Sequence, residues 1–177
     1  MLLWHLGGTV AAARYIFRDE RMDLRTLLLG AVLPDVIDTP VGLIGYSSLR
    51  AVRLGAHSLL FVAVVMVVVL LVTRRGRPRK RWMPLVVGLL MHLVLDAMWA
   101  DGATLWWPLL GAAFSPDTAA TAAGYLADVL SDWRVWALEA VGLAYLGTLA
   151  ARAGMGDAAH RRRFFATGTV DVPIGRR

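Results

Sequence analysis

Apolar residues in this chain come in long runs instead of alternating with polar ones. Residues 58–73, SLLFVAVVMVVVLLVT, contain no charge, and residues 82–100, WMPLVVGLLMHLVLDAMWA, are charged only at Asp96, with His92 their one other ionisable side chain. Each run approaches the roughly 20 residues that a helix needs to cross hydrocarbon. The pattern therefore predicts membrane helices. Residues 2–17, 24–46 and 133–151 form three further hydrophobic segments. The first carries His5 and Arg14 and the second is interrupted by Pro34, Asp35 and Asp38, so both are expected as short, broken or re-entrant helices lodged in a bundle. Pro34 removes a backbone donor and favours a kink. The expected fold is all-α: a polytopic transmembrane bundle of about five hydrophobic helices over residues 1–153. A basic cytoplasmic tail over residues 154–177 is expected to be disordered.

Composition strengthens the membrane reading. Of 177 residues, 58% are apolar, against roughly 45 to 50% in soluble globular chains, and the mean hydropathy is +0.58. Cysteine is absent, which excludes disulfides and thiolate ligands; any metal site must use nitrogen and oxygen.

The net charge of +6 sits mostly in Arg74, Arg75, Arg77, Arg79, Lys80 and Arg81 and in the tail after Arg152. No aromatic or Gly-rich recognition pattern accompanies these charges, so they argue for membrane orientation and not for a nucleic-acid partner. Placing the basic loop 74–81 in the cytoplasm sends segment three inward and segment four outward, and returns segment five inward. Arg14, Arg18, Arg21 and Arg25 then fall inside as well, giving an outer amino terminus and a cytoplasmic carboxyl terminus. Residues 2–10 resemble a signal-peptide core, yet no positive residue precedes them, and a retained first helix is expected.

On this topology the ionisable residues converge in depth, although the arginines alone fixed the orientation. His5, Asp35, Asp38, His57, His92 and Asp96, drawn from four segments, all fall toward the outer side. His92 and Asp96 are four apart and Asp35 and Asp38 three apart, so each pair shares a helical face. Imidazole and carboxylate suit zinc, manganese or iron, and a divalent cation offsets the cost of carboxylates at that depth. Simpler readings exist for each piece. His92 and Asp96 could be a hydrogen-bonded pair, Asp35 and Asp38 could cap a broken helix, and His57 could be an interfacial residue before a span. Arg53 could hold a phosphate or carboxylate, or anchor to headgroups. Trp99, Trp106 and Trp107 fit an aromatic belt; Glu139 could pair with Arg134 or face the site as a base. Inside membrane helices, ionisable residues by default mark a site or pathway.

The stretches LLLGAVLPDVIDTPVG (residues 27–42), VRLGAHSLLF (52–61) and GLLMHLVLDAMWADGATLWWPLLG (88–111), with His5 ahead of them, resemble the membrane-bound metal-dependent hydrolase family related to the LexA-regulated YdjM proteins. The resemblance covers the first two thirds of the chain. It implies Asp35, Asp38, His57, His92 and Asp96 as motif residues, His5 as the amino-terminal histidine and Arg53 as the arginine before the central histidine. Many members carry Asp-x-Asp after the proline and a His-Arg pair upstream of the central histidine. Here the aspartates are three apart, Val52 precedes Arg53, and Ala56 stands where a threonine often does. This implies one ligand fewer than in other branches.

The expected function is a hydrolase of the inner membrane. Its divalent metal, zinc before manganese, iron or magnesium, is held by His5, Asp35, Asp38, His57, His92 and Asp96, with Asp38 as general base and Arg53 on the substrate. A phosphoester or lipid-linked substrate at the outer face, among membrane lipids as partners, follows from the depth of the site. Two alternatives stand beside it: an ion- or proton-coupled transporter using the His and Asp chain, and a non-catalytic membrane scaffold with a vestigial site.

Overall fold

In the computed structural model, which describes residues 1–173, every regular element among those residues is helical. The elements are α1 (Leu2–Ala12), running on into a π-helical turn (Ala13–Phe17), α2 (Leu24–Ile44) and α3 (Tyr46–Leu49). A 3-10 turn (Gly55–His57) leads into α4 (Leu59–Val72), followed by α5 (Arg77–Leu95), a 3-10 turn (Met98–Ala100) and α6 (Gly102–Leu105). The chain continues with α7 (Ala122–Ser131), α8 (Trp133–Arg152) and α9 (Ala158–Thr167).

Local chemistry sets the helix starts. Asp23 accepts Arg25 N–H at 3.1 Å to cap α2, and Ser58 accepts Phe61 N–H at 3.2 Å to cap α4, each satisfying a donor that the first turn would leave orphaned. α2 continues through Pro34 and Pro40, so the segment expected to break is one helix of 21 residues, about 32 Å long. The proline costs one backbone bond, and packing on α5 outweighs it.

That packing is close. A methyl group on Gly30 would lie 2.1 Å from the Leu85 carbonyl oxygen, and one on Gly88 would lie 2.2 Å from that of Leu27. Glycine at both positions lets the α2 and α5 backbones touch. Gly7 and Gly142 bring α1 and α8 together in the same way. The α2–α5 pair and α4 enclose a core of Val62, Val69, Leu85, Val86, Leu89, Leu93 and Met98, while Val10, Ala13, Leu24 and Leu27 form a second cluster where α1 meets α2.

Of the five expected spans, only α2 is long and apolar enough by itself to cross a membrane. α4 has 14 residues, about 21 Å of helix, short of the roughly 30 Å hydrocarbon core. α5 begins inside the basic stretch, so that Arg77, Arg79, Lys80 and Arg81 form its first turns. Yet α4 carries no charge and buries only Val62 and Val69; Leu71 and Val72 are 80% and 78% exposed. Water would penalise such a face, and lipid would not.

The tail departs from expectation. Residues 158–167 form α9, and α9 with the chain after it is tied to the start of α2 and to the π-helical turn after α1. Leu24 N–H donates to Gly168 O at 2.7 Å, the Arg25 guanidinium donates to Phe165 O, and buried Arg14 donates to Val172 O. Through residue 173 the tail is thus ordered by backbone acceptors for arginines, where a disordered segment was expected; residues 174–177 of that expectation lie outside the described residues.

Candidate metal centre

Four elements bring the expected residues together. α1 supplies His5, α2 supplies Asp35 and Asp38, the 3-10 turn before α4 supplies His57, and α5 supplies His92 with Asp96 at its C-cap. His5, His57 and His92 are each at most 1% exposed. Ala97, with φ of 53°, takes the left-handed conformation that costs a non-glycine residue about 1–2 kcal/mol, and it turns the chain away directly after Asp96.

Each of two histidines is fixed through its Nδ1. His57 Nδ1 lies 2.8 Å from Asp38 Oδ2, and His92 Nδ1 lies 2.7 Å from Ala31 O. Both partners are acceptors, so each ring carries a proton on Nδ1 and turns its Nε2 inward, where one proton or one cation fits between the two nitrogens. Those Nε2 atoms face each other at 3.2 Å. Asp35 Oδ1 stands 3.5 Å from His57 Nε2 and 3.7 Å from His92 Nε2, and Asp96 Oδ2 stands 3.8 Å from His57 Nε2. On the far side of Asp96, Oδ1 lies 3.0 Å from His5 Nε2, and the His5 ring stacks on His92 with centroids 4.1 Å apart.

These donors fit a cation. Two lone pairs at this distance repel unless positive charge lies between them. Two nitrogens bound tetrahedrally to zinc at 2.0–2.1 Å would be about 3.3 Å apart. His5 Nε2 is buried with the Asp96 carboxylate as its near neighbour, Oδ1 at 3.0 Å, so a carboxylate and an imidazole nitrogen face the same point. Two groups, Asp35 with His57 and His92, and His5 with His92 and Asp96, each offer ligand atoms within 4.8 Å of one another and could hold a metal ion.

Asp38 has a different place from the one expected. Its carboxylate accepts Leu54 N–H at 2.8 Å, Ala56 N–H at 3.2 Å and His57 N–H at 3.1 Å as well as the His57 ring. With its lone pairs spent on that loop it is a positioning residue behind His57, not a base facing substrate. Arg53 donates Nε–H to Asp96 Oδ2 at 2.8 Å and keeps a half-exposed guanidinium. Glu139 accepts Leu3 N–H at 2.8 Å, capping α1 instead of pairing with Arg134. Of the three tryptophans there, Trp99 and Trp106 are exposed, whereas Trp107 is half-buried and donates Nε1–H to Ala112 O at 3.1 Å.

A cavity of about 120 Å³ opens on the cluster, lined by Asp35, Arg53, His57 and Asp96 together with Thr39 and Tyr125. Sequence reasoning missed three contributors. The Ala31 carbonyl carries no side-chain signal. Tyr125 comes from α7, where an isolated tyrosine in the run TAATAAGYLADVL was the available cue. Asp117, whose carboxylate accepts Val52 N–H at 2.9 Å while its own N–H donates to Arg50 O at 2.7 Å, pins the loop that presents Arg53. Burial pushes the Asp117 carboxyl upward, against the lowering by the Val52 amide and Arg53.

A family model described as YdjM inner membrane protein matches residues 3–158. No curated protein and no solved structure matches the chain.

Proposed function

We propose a function from one premise: the chain belongs to the YdjM inner membrane protein family. It acts as a membrane-embedded metal-dependent hydrolase on a phosphoester, with its amino terminus and its site at the outer face and its basic segments in the cytoplasm. The observation that carries this reading is the pair of inward Nε2 atoms of His57 and His92 at 3.2 Å, flanked by the carboxylates of Asp35 and Asp96.

His57, His92 and Asp35, with Asp96 and His5 beside them, would hold a divalent cation, zinc first by the nitrogen-rich donor set. A bound cation supplies Lewis-acid charge that acidifies water and polarises the ester. Asp38 and Ala31 keep the two imidazoles in the ligating tautomer. Arg53, anchored by Asp96, directs its remaining N–H groups to the anionic oxygens of the substrate. Asp35 Oδ2, 3.9 Å from the amino-terminal ammonium, is the carboxylate oxygen that would take a proton from water as the water oxygen bonds to phosphorus and the ester oxygen leaves. Val129 and Val135 line the cavity and limit bulk water around it. The apolar inner part of α4 favours an enclosed site over a through path for ions.

The test is protein purified in detergent. Near-stoichiometric zinc or another divalent metal, together with phosphoester cleavage, both lost in His92→Ala, is the expected result. Metal-free wild-type protein prepared without chelator ends the proposal.

A further inference from the structure

A second cavity, about 440 Å³, runs along α1 inward of His5 and is lined by Trp4, Gly8, Ala12, Leu95, Val141 and Tyr145 among others. Two features of the chain keep it open. Gly7 and Gly142 draw the α1 and α8 backbones into contact, where a methyl group on Gly7 would lie 2.7 Å from Gly142 Cα. Beside that contact Gly8 offers no side chain, and a methyl group there would already press Leu95 at 3.0 Å. The lining is almost wholly apolar, so water gains nothing by entering it.

The same three elements line both cavities. Met1 at the start of α1, Asp96 at the end of α5 and Val135 in the first turn of α8 face the metal centre. The groove takes over at Trp4, Leu95 and Val141, a few residues along α1 and α8 and one residue back on α5. From Trp4 to Ile16 the lining extends over 12 residues of helix, about 18 Å, comparable with the roughly 15 Å of hydrocarbon in one leaflet.

We infer that this groove seats the hydrocarbon chain of a lipid phosphoester whose headgroup lies at the His and Asp cluster. The inference rests on the reading of that cluster as a site for phosphoester headgroups, and it narrows the substrate class to lipids. Arg53 and the adjacent cation site meet the anionic head; the groove takes the tail inward through the outer leaflet. Binding energy from a chain remote from the reacting bond would hold the ester in register.

The test uses full-length protein in phosphatidylcholine nanodiscs with a long-chain lipid phosphomonoester bearing a mid-chain diazirine. After irradiation, peptide mapping should place label on residues 8–16 and 141–145 at no less than five times the level on the lipid-facing surface of α4. Ala12→Leu, which fills the groove far from the cluster, should cut that labelling at least five-fold while an unlabelled control confirms unchanged melting. Label distributed evenly over α4 and the groove overturns the inference, and so does labelling indifferent to Ala12→Leu. Protection of the groove by a second copy of the chain overturns it too. Turnover of the same lipid by wild-type protein is read separately: groove labelling without turnover supports the groove and removes the hydrolase, and turnover without groove labelling does the reverse.

Discussion

His57 and His92 direct their Nε2 atoms at each other across 3.2 Å, while Asp38 and the Ala31 carbonyl occupy the two Nδ1 positions. Neither ring can flip its tautomer without losing a buried hydrogen bond, so the pair is held in a state that a shared proton or a bound cation relieves.

Metal binding should accordingly stabilise the fold. At a free metal concentration one hundred times the Kd, the linkage amounts to about 2.7 kcal/mol, read as a higher melting temperature in detergent and reversed by chelator. His57→Ala and His92→Ala should abolish that increment; a melting temperature indifferent to both metal and chelator contradicts the assignment.

Asp38 should matter for structure and for affinity through different variants. Asp38→Ala leaves the Leu54, Ala56 and His57 amides without their acceptor, and at about 1–3 kcal/mol per orphaned buried group the protein should lose 3 kcal/mol or more. Asp38→Asn keeps an acceptor but no charge on the His57 ring, and metal affinity should fall about 10- to 100-fold, measured by competition with a chromogenic chelator.

Arg53→Ala and Arg53→Lys separate charge from geometry. Loss of a positioned donor at the reacting group should lower kcat about 100-fold or more. Lysine should recover little of it, because one ammonium cannot bond Asp96 and substrate together as the planar guanidinium does. Full activity in the lysine variant would reduce Arg53 to a charge anchor.

Gly30→Ala tests the α2–α5 contact that sets the site. The added methyl would meet the Leu85 carbonyl oxygen at 2.1 Å, and backbone, unlike a flexible side chain, cannot swing aside. A loss of about 1–3 kcal/mol should come with weaker metal binding, since Ala31, the partner of His92, is the next residue.

Asp23 should give the start of α2 an acid-sensitive component. Burial raises its carboxyl, but hydrogen bonding and charge from Arg25, with Arg81, outweigh it and hold the pKa below the ordinary value of 3.8. A lowered folded-state pKa means the contribution is complete above the unfolded value and is lost as pH falls through the folded one. Stability should thus decline below about pH 4, and Asp23→Ala, at a cost of about 1–2 kcal/mol from the lost cap, should flatten that limb of the melting profile.

The hydrophobic runs determined on their own that the chain is helical, and the residue types at 5, 35, 57, 92 and 96 marked one cluster, because helical spacing and depth follow directly from residue number. Length of individual helices did not follow. α2 passes Pro34 and Pro40 unbroken because α5 packs against it, and α5 absorbs the basic stretch into its first turns; both are tertiary or capping effects that periodicity does not carry. The ordered tail was equally hidden, since its partners are backbone carbonyls reached by Arg14 and Arg25 from distant parts of the chain.

Sequence therefore determined which donors the protein has and roughly where along each helix they lie. Only the tertiary structure decided which way each one faces. It turned Asp38 to the back of His57 and Asp35 to the front, and it placed Ala31 O behind His92 through a glycine contact that no side chain announces. Direction depends on how two helices rotate against each other, and close backbone packing at Gly30 and Gly88 fixes that rotation.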